Sequence, residues 1–350
     1  VLLEETIDRI EGLDERAAEL ARERQNQLTK PQGSLGRLEE ISIRLAGISG
    51  RLDVPLSKKR VIVMAGDHGV AAEGVSAFPQ EVTQQMVLNF LHGGAAINVL
   101  ARHVGAEVSV VDVGVAADLP DHPKLFKKKV AYGTKNMAQG PAMTRDEAIR
   151  SVEAGIEVFE SLFENPGIDL VMTGDMGIAN TTPSSAIIAA ITGRPVPEVT
   201  GRGTGVDDKT LAHKIEVIEK ALELNSPDPS DPLDVLAKVG GFEIGGIAGV
   251  VLAAASHRVP VLVDGIISTA GALLAGEMAP ESVNYMFSAH ASVEKGQRAA
   301  LEKLGLQPIL DLNMRLGEGT GGALAAFVLE ASVKILNEMA TFTQAGVSEG

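Results

Sequence analysis

The sequence predicts an α/β protein: an open, doubly wound, mostly parallel (Rossmann-like) sheet, with a small helical domain built from the two chain ends. Three observations predict it. Short apolar runs alternate with helical stretches through the middle of the 350 residues. The runs are rich in β-branched residues and continuous, as strands covered on both faces are. Most of them end in small or polar residues, which places a set of loops at the carboxyl edge of one sheet, where open α/β sheets hold their ligands.

Taken in order, the first fifty residues read as helix. Ile7, Ile10, Leu13, Ala17 and Leu20 recur at three- and four-residue spacing between acids and arginines. KPQGS (30–34) breaks the pattern, and Leu38, Ile41, Leu45 and Ile48 resume it. Six strands are expected next: RVIVMA (60–65), EVSVVDV (107–113), DLVMT (169–173), VPVLVD (259–264), VNYMFS (283–288) and PILDLNM (308–314). Helical spacers between several of them imply right-handed parallel crossovers. NSPDPSDPLD (225–234) reads as an exposed connector. The last helix should turn Leu324, Phe327, Val328, Ala331 and Ile335 to the core. The expected division is a catalytic α/β domain over 51–330 and a helical domain from 1–50 plus 331–350.

Composition narrows the function. A net charge of -15 argues against nucleic acid, because neutralising phosphates needs a basic face. The short run Lys127, Lys128, Lys129 is read as a solvated loop or strand end. With no cysteine there is no thiolate metal site, disulfide or cysteine nucleophile. The start, VLLEETIDRIEGLDER, carries acids where a secretory signal carries a basic cap, and the longest apolar stretch (247–256) is too short for a bilayer. A cytoplasmic protein is expected, free of membrane. The first residue is not Met, so trimming of an initiator or a short leader is also expected.

Two glycine loops could hold a phosphate and a sugar. TGDMGIANTTPSSA (173–186) runs from a strand through Asp175 and Gly177 into an Ala/Ile-rich helix, and amides at a helix start bind anions. A capped βα turn would look the same. TGRGTGVDDKTLAHK (200–214) runs from a glycine loop into Lys209 and Lys214, which taken singly read as solvent-facing. Asp67 and His68 adjoin without HExxH or another histidine at ligand spacing, so His68 is expected to be structural, its ring tied to backbone. Phe78 is a scarce aromatic in a glycine-flanked loop, able to stack on a flat ring or to pack locally. In RLGEGTGG (315–322), Glu318 either complements the dipole of the following helix or serves as a base whose pKa burial raises, with Leu316 beside it.

Several blocks together resemble one family. LTKPQGSLGRLE (28–39), AGDHGV with EGVSAFPQEVT (65–83), TGDMGIANTTP (173–183), KVGGFEIGGIAGV (238–250), VLVDG (261–265) and NMRLGEGTGGALA (313–325) look like nicotinate-nucleotide–dimethylbenzimidazole phosphoribosyltransferases of late cobalamin synthesis. The resemblance implies transfer of ribose phosphate from nicotinate mononucleotide to a benzimidazole, without metal or cofactor. It implies Glu318 as the base, with Asp175 standing where other members carry a Glu one methylene longer. It also implies a phosphate site at Gly177, Ile178, Ala179, Asn180 and Thr181, flanked by Gly203. Lys214 is implied from the partner subunit of a homodimer, and a base pocket at Phe78, Met86 and Leu316. Two alternatives stay open: a magnesium-dependent enzyme using phosphoribosyl pyrophosphate, for which Asp207 and Asp208 would hold ribose, and a non-catalytic binder of benzimidazole or ribazole.

Overall fold

The computed structural model describes residues 2–203 and 205–348. Six strands form one all-parallel sheet: β1 (Lys59–Gly66), β2 (Ala106–Gly114), β3 (Leu125–Lys127), β4 (Leu170–Met176), β5 (Val261–Val263) and β6 (Met286–Ser288), in the order β3-β2-β1-β4-β5-β6. The order reverses between β1 and β4, where a crevice opens beyond the strand ends in doubly wound sheets.

The continuous apolar runs follow from burial on both faces. Ile62 and Met64 of β1 face one core, with helices Arg145–Glu164, Phe242–Ser256 and Ile266–Met278. Val61, Val63 and Ala65 face the other, with helices Arg37–Ser49, Ala96–Val104 and Thr320–Glu338. Glycines let the first layer pack closely: a Cβ on Gly249 would lie 1.9 Å from the Val152 carbonyl oxygen. Among the described residues no helix is long and apolar enough to cross a membrane.

Four expectations need correction. PILDLNM (308–314) is not a strand: the Ile309 amide donates to the Ser288 carbonyl at the end of β6, and beyond that there is an isolated bridge, His290 to Leu310. Its intervening residues Asp311 and Asn313 are exposed, so no second face exists to bury. Only the last three residues of VNYMFS enter β6, because Pro280–Tyr285 winds as a 3-10 turn. The first stripe is two helices, Leu2–Asp8 and Glu15–Gln27, the second opened by Asp14 accepting from the Ala17 amide; Leu20 is exposed. In Thr320–Glu338 the buried side is Ala323, Ala326, Leu329, Val333 and Leu336, and the expected face looks outward, with Phe327 67% exposed.

The two chain ends meet. Leu28 bridges Thr341, and the Arg24 guanidinium donates to the carbonyls of Leu336 and Asn337. Their helices also share the second core with the sheet. The lysine run closes β3, each ammonium paired with an acid: Asp121, Glu157 and Asp112.

Candidate active site

The crevice forms where β1 and β4 end. After β4 the chain turns through 177–180 into helix Thr181–Thr192, whose N-cap Asn180 makes no side-chain cap. Ala179 has a positive φ of 73°. The Ile178 amide donates to Thr83 Oγ1 at 3.0 Å. Beneath this turn Gly177 meets β1 so closely that a Cβ would lie 2.3 Å from the Gly66 carbonyl oxygen. His68 and Glu243 lie there too, fully buried, Nε2 to Oε1 2.6 Å. Burial alone would lower the His68 pKa, but the charge and hydrogen bond of Glu243 hold it above its ordinary value. His68 is therefore structural, as expected, but its ring is tied to a carboxylate and not to backbone.

Glu318 reaches the same place from the opposite side. Gly317, Glu318 and Gly319 have φ of 84°, 64° and 92°, three successive left-handed residues. Such a backbone costs a non-glycine residue on the order of 1–3 kcal/mol. The turn lies against β4: a Cβ on Gly174 would be 2.4 Å from the Glu318 carbonyl oxygen. The Glu318 side chain is buried, and its Oε2 accepts from the Ile97 amide at 3.3 Å. Burial raises its pKa; the Ile97 amide opposes this and the charge of Asp264 adds to it. Desolvation thus outweighs the amide.

Asp175 sits between the two loops. Its Oδ2 accepts from Asn180 Nδ2 at 3.0 Å, while the buried Oδ1 has no hydrogen-bond partner among the described residues. Burial, then the charge of Asp264, raise its pKa well above the carboxylate range against the Asn180 hydrogen bond; Glu243 and Glu318 add further. Burial thus shifts this carboxyl toward its neutral form relative to an exposed Asp.

Two adjoining cavities share Phe78, Asp175, Asn180, Thr181 and Leu316 as their common wall. The first, about 310 Å³, holds Glu318 with Met86 and Val82. All three expected base-pocket residues, Phe78, Met86 and Leu316, line it, and Phe78 and Leu316 are half exposed at its mouth. The second, about 230 Å³, is lined by Gly203, His290, Ser292, Glu294 and Arg315.

Lys214 corrects one expectation. Its Nζ donates to Thr181 Oγ1 of its own chain at 2.6 Å and to the Gly201 carbonyl at 3.4 Å. It is 1% exposed, and burial lowers its pKa to about 8 against the charge of Glu294. It reaches the 177–181 turn without help from a second subunit, because helix Asp208–Asn225 packs directly on helix Thr181–Thr192. Lys209 is exposed, as a solvated lysine should be. Thr204, in the same glycine loop, lies outside the described residues. Asp207 caps its helix through the Thr210 amide and Asp208 pairs with Arg202 at the surface, so neither enters the crevice.

Four site residues were not singled out from sequence: Asp264, His290, Glu294 and Arg315. Asp264 accepts from three amides of the Glu318 turn and the helix after it. Glu294 Oε1 accepts from the Gly203 amide at 2.8 Å, and Arg315 Nη1 donates to the Gly203 carbonyl at 3.1 Å. Asp264 and His290 follow β5 and β6, so the endings VDG and SAH were the available signal.

A family model described as phosphoribosyltransferase matches residues 10–347. A protein of Chloroflexus aggregans named nicotinate-nucleotide–dimethylbenzimidazole phosphoribosyltransferase is 64% identical over 348 residues, 99% of this chain and 98% of its own. One of the same name from Geobacter sulfurreducens is 59% identical over 349 residues, 100% of this chain and 99% of its own. The crystal structure of CobT from Thermus thermophilus superposes with a TM-score of 0.92 at 50% identity, covering 96% of this chain and 100% of that one.

Proposed function

We propose a division of labour among these residues from one premise: the chain belongs to the nicotinate-nucleotide–dimethylbenzimidazole phosphoribosyltransferase family. The reaction passes the ribose phosphate of nicotinate mononucleotide to dimethylbenzimidazole, releasing nicotinate and giving α-ribazole 5′-phosphate for cobalamin. The bond from the pyridine nitrogen to the anomeric carbon breaks, and its electron pair returns to the ring, cancelling the ring's positive charge. A benzimidazole nitrogen bonds to that carbon. The new cation is relieved when the hydrogen on its second nitrogen leaves, and Glu318 accepts that proton. A raised pKa makes Glu318 a stronger acceptor for it.

Asp175 serves the sugar. Arrival of the positively charged pyridinium ring favours its anion, which then faces the oxocarbenium-like centre that develops as the bond breaks. The phosphate lies on the 177–181 turn, between the start of helix Thr181–Thr192 and the Lys214 ammonium, with Gly203 beside it. The acceptor ring takes the cavity of Phe78, Met86 and Leu316. The departing pyridine takes the cavity of Arg315, His290 and Ser292, whose donors suit its carboxylate. The outward apolar face of Thr320–Glu338 packs on a second copy, a homodimer in which each crevice is complete within one chain.

One observation carries this reading: Glu318, Asp175 and the 177–181 turn, distant in sequence, line a single small apolar cavity. The test is mass spectrometry of the product from nicotinate mononucleotide and dimethylbenzimidazole, for the wild type and Glu318→Gln. Turnover should fall by roughly 10²–10⁴-fold in the variant, with base binding retained. Normal turnover in Glu318→Gln removes the assignment.

A further inference from the structure

Asp264, at the end of β5, is completely buried. Its Oδ2 accepts from the Gly319 amide at 3.0 Å, and its Oδ1 from the amides of Gly321 at 2.7 Å and Gly322 at 3.2 Å. Helix Thr320–Glu338 has no side-chain cap from its own N-cap, Gly319. The first turn of any helix leaves amides without intrahelical partners, so a carboxylate from a distant strand supplies here what the local sequence lacks. The amide of Gly319 closes the left-handed run that carries Glu318.

We propose that Asp264 is a positioning residue of the transfer reaction, clamping the amino end of helix Thr320–Glu338 so that the strained turn aims Glu318 at the acceptor ring. This rests on Glu318 as the base. Without the clamp, nothing from β5 holds the amides of Gly319, Gly321 and Gly322, and the left-handed turn relaxes toward ordinary φ. A second effect comes from charge. The groups facing Glu318 are Asp264 from β5, Asp175 from β4 and the Ile97 amide from helix Ala96–Val104. Asp264 is the charge that strengthens Glu318 as a base. Behind Asp264 lies His290, 1% exposed, its Nε2 3.6 Å from Asp264 Oδ1. Burial opposes the His290 proton, but Asp264 holds it. The histidine therefore moderates the charge that Glu318 experiences.

The test is steady-state kinetics across pH for the wild type, Asp264→Asn, His290→Gln and Glu318→Gln, each checked for folding by circular dichroism. Asp264→Asn keeps the volume and one acceptor oxygen. Its kcat should fall roughly 10²-fold, the usual penalty of a misplaced catalytic group, with little change in either KM. Losing the negative neighbour lowers the Glu318 pKa, so the acidic limb of kcat should move to lower pH. His290→Gln bares Asp264 and should move the same limb to higher pH, which gives a readout if Asp264→Asn does not fold. Limbs unmoved in every folded variant, or an Asp264→Asn with wild-type kcat, overturn the proposal. Full activity in Glu318→Gln would instead overturn the base assignment, so the two failures are told apart.

Discussion

Replacing Lys214 by Ala removes an ammonium buried against the phosphate turn, and its consequences can be worked through. A hydrogen bond from a charged donor contributes about 1.5–3 kcal/mol. At about 1.4 kcal/mol per tenfold, the KM for nicotinate mononucleotide should rise roughly 10- to 150-fold. The KM for dimethylbenzimidazole should barely change, because Lys214 does not line the cavity of Glu318. With its pKa lowered to about 8, the free enzyme loses this charge as pH rises past that point. Nucleotide kcat/KM should therefore fall on the alkaline side in the wild type, and Lys214→Ala should lack that limb. Initial rates against both substrates between pH 6 and 10 measure this. The same variant decides where the lysine acts. If Lys214 completed a partner's site, mixing Lys214→Ala with Glu318→Gln would restore roughly a quarter of the sites in a random dimer. Its 2.6 Å bond to Thr181 of its own chain predicts no restoration. Recovered activity, or equal rises in both KM values, would refute the reasoning.

Three further outcomes are expected. Gly174→Ala puts a methyl 2.4 Å from the Glu318 carbonyl oxygen, so kcat should drop roughly 10²-fold and chemical unfolding should register a loss of about 1–3 kcal/mol. Burial pushes the Asp175 pKa up, so calorimetric titration of nicotinate mononucleotide in buffers of different ionisation heat should show net proton release on binding, a release that Asp175→Asn abolishes. Phe327→Asp, on the outward face of Thr320–Glu338, should halve the mass in sedimentation while each crevice keeps its turnover; a wild type that is already monomeric would discard the dimer.

The central strands were legible because their burial is unambiguous: residues on both faces of β1, β2 and β4 are apolar and buried, so continuous runs mark them. PILDLNM misled because four apolar residues imitate a strand where only Leu310 forms a bridge. The last helix misled for a different reason. It carries apolar residues on both sides, and the inner side of its first turns is small because the helix lies close to β4, Gly322 facing Met172 across a gap where a Cβ would be 3.1 Å away. There the larger residues, Leu324, Phe327 and Val328, sit toward the outside, and size points to the wrong face. In the crevice, glycine-rich blocks announced Glu318 and Asp175. Asp264, His290 and Glu294 lie in ordinary surroundings and act through atoms contributed by distant segments, which linear spacing does not reveal. Resemblance supplied Lys214 and gave it to a partner's site, whereas its ammonium bonds Thr181 of its own chain.

The paired cavities fix a stereochemical consequence. With the acceptor ring and the departing pyridine in the two cavities as proposed, a pentose held at their shared wall has the incoming ring on one side and the outgoing ring on the other, and the approach is in line. The carbon between them must turn inside out like an umbrella in wind. A β-linked nucleotide entering this protein can therefore leave only as its α counterpart, whatever flat heterocycle is offered.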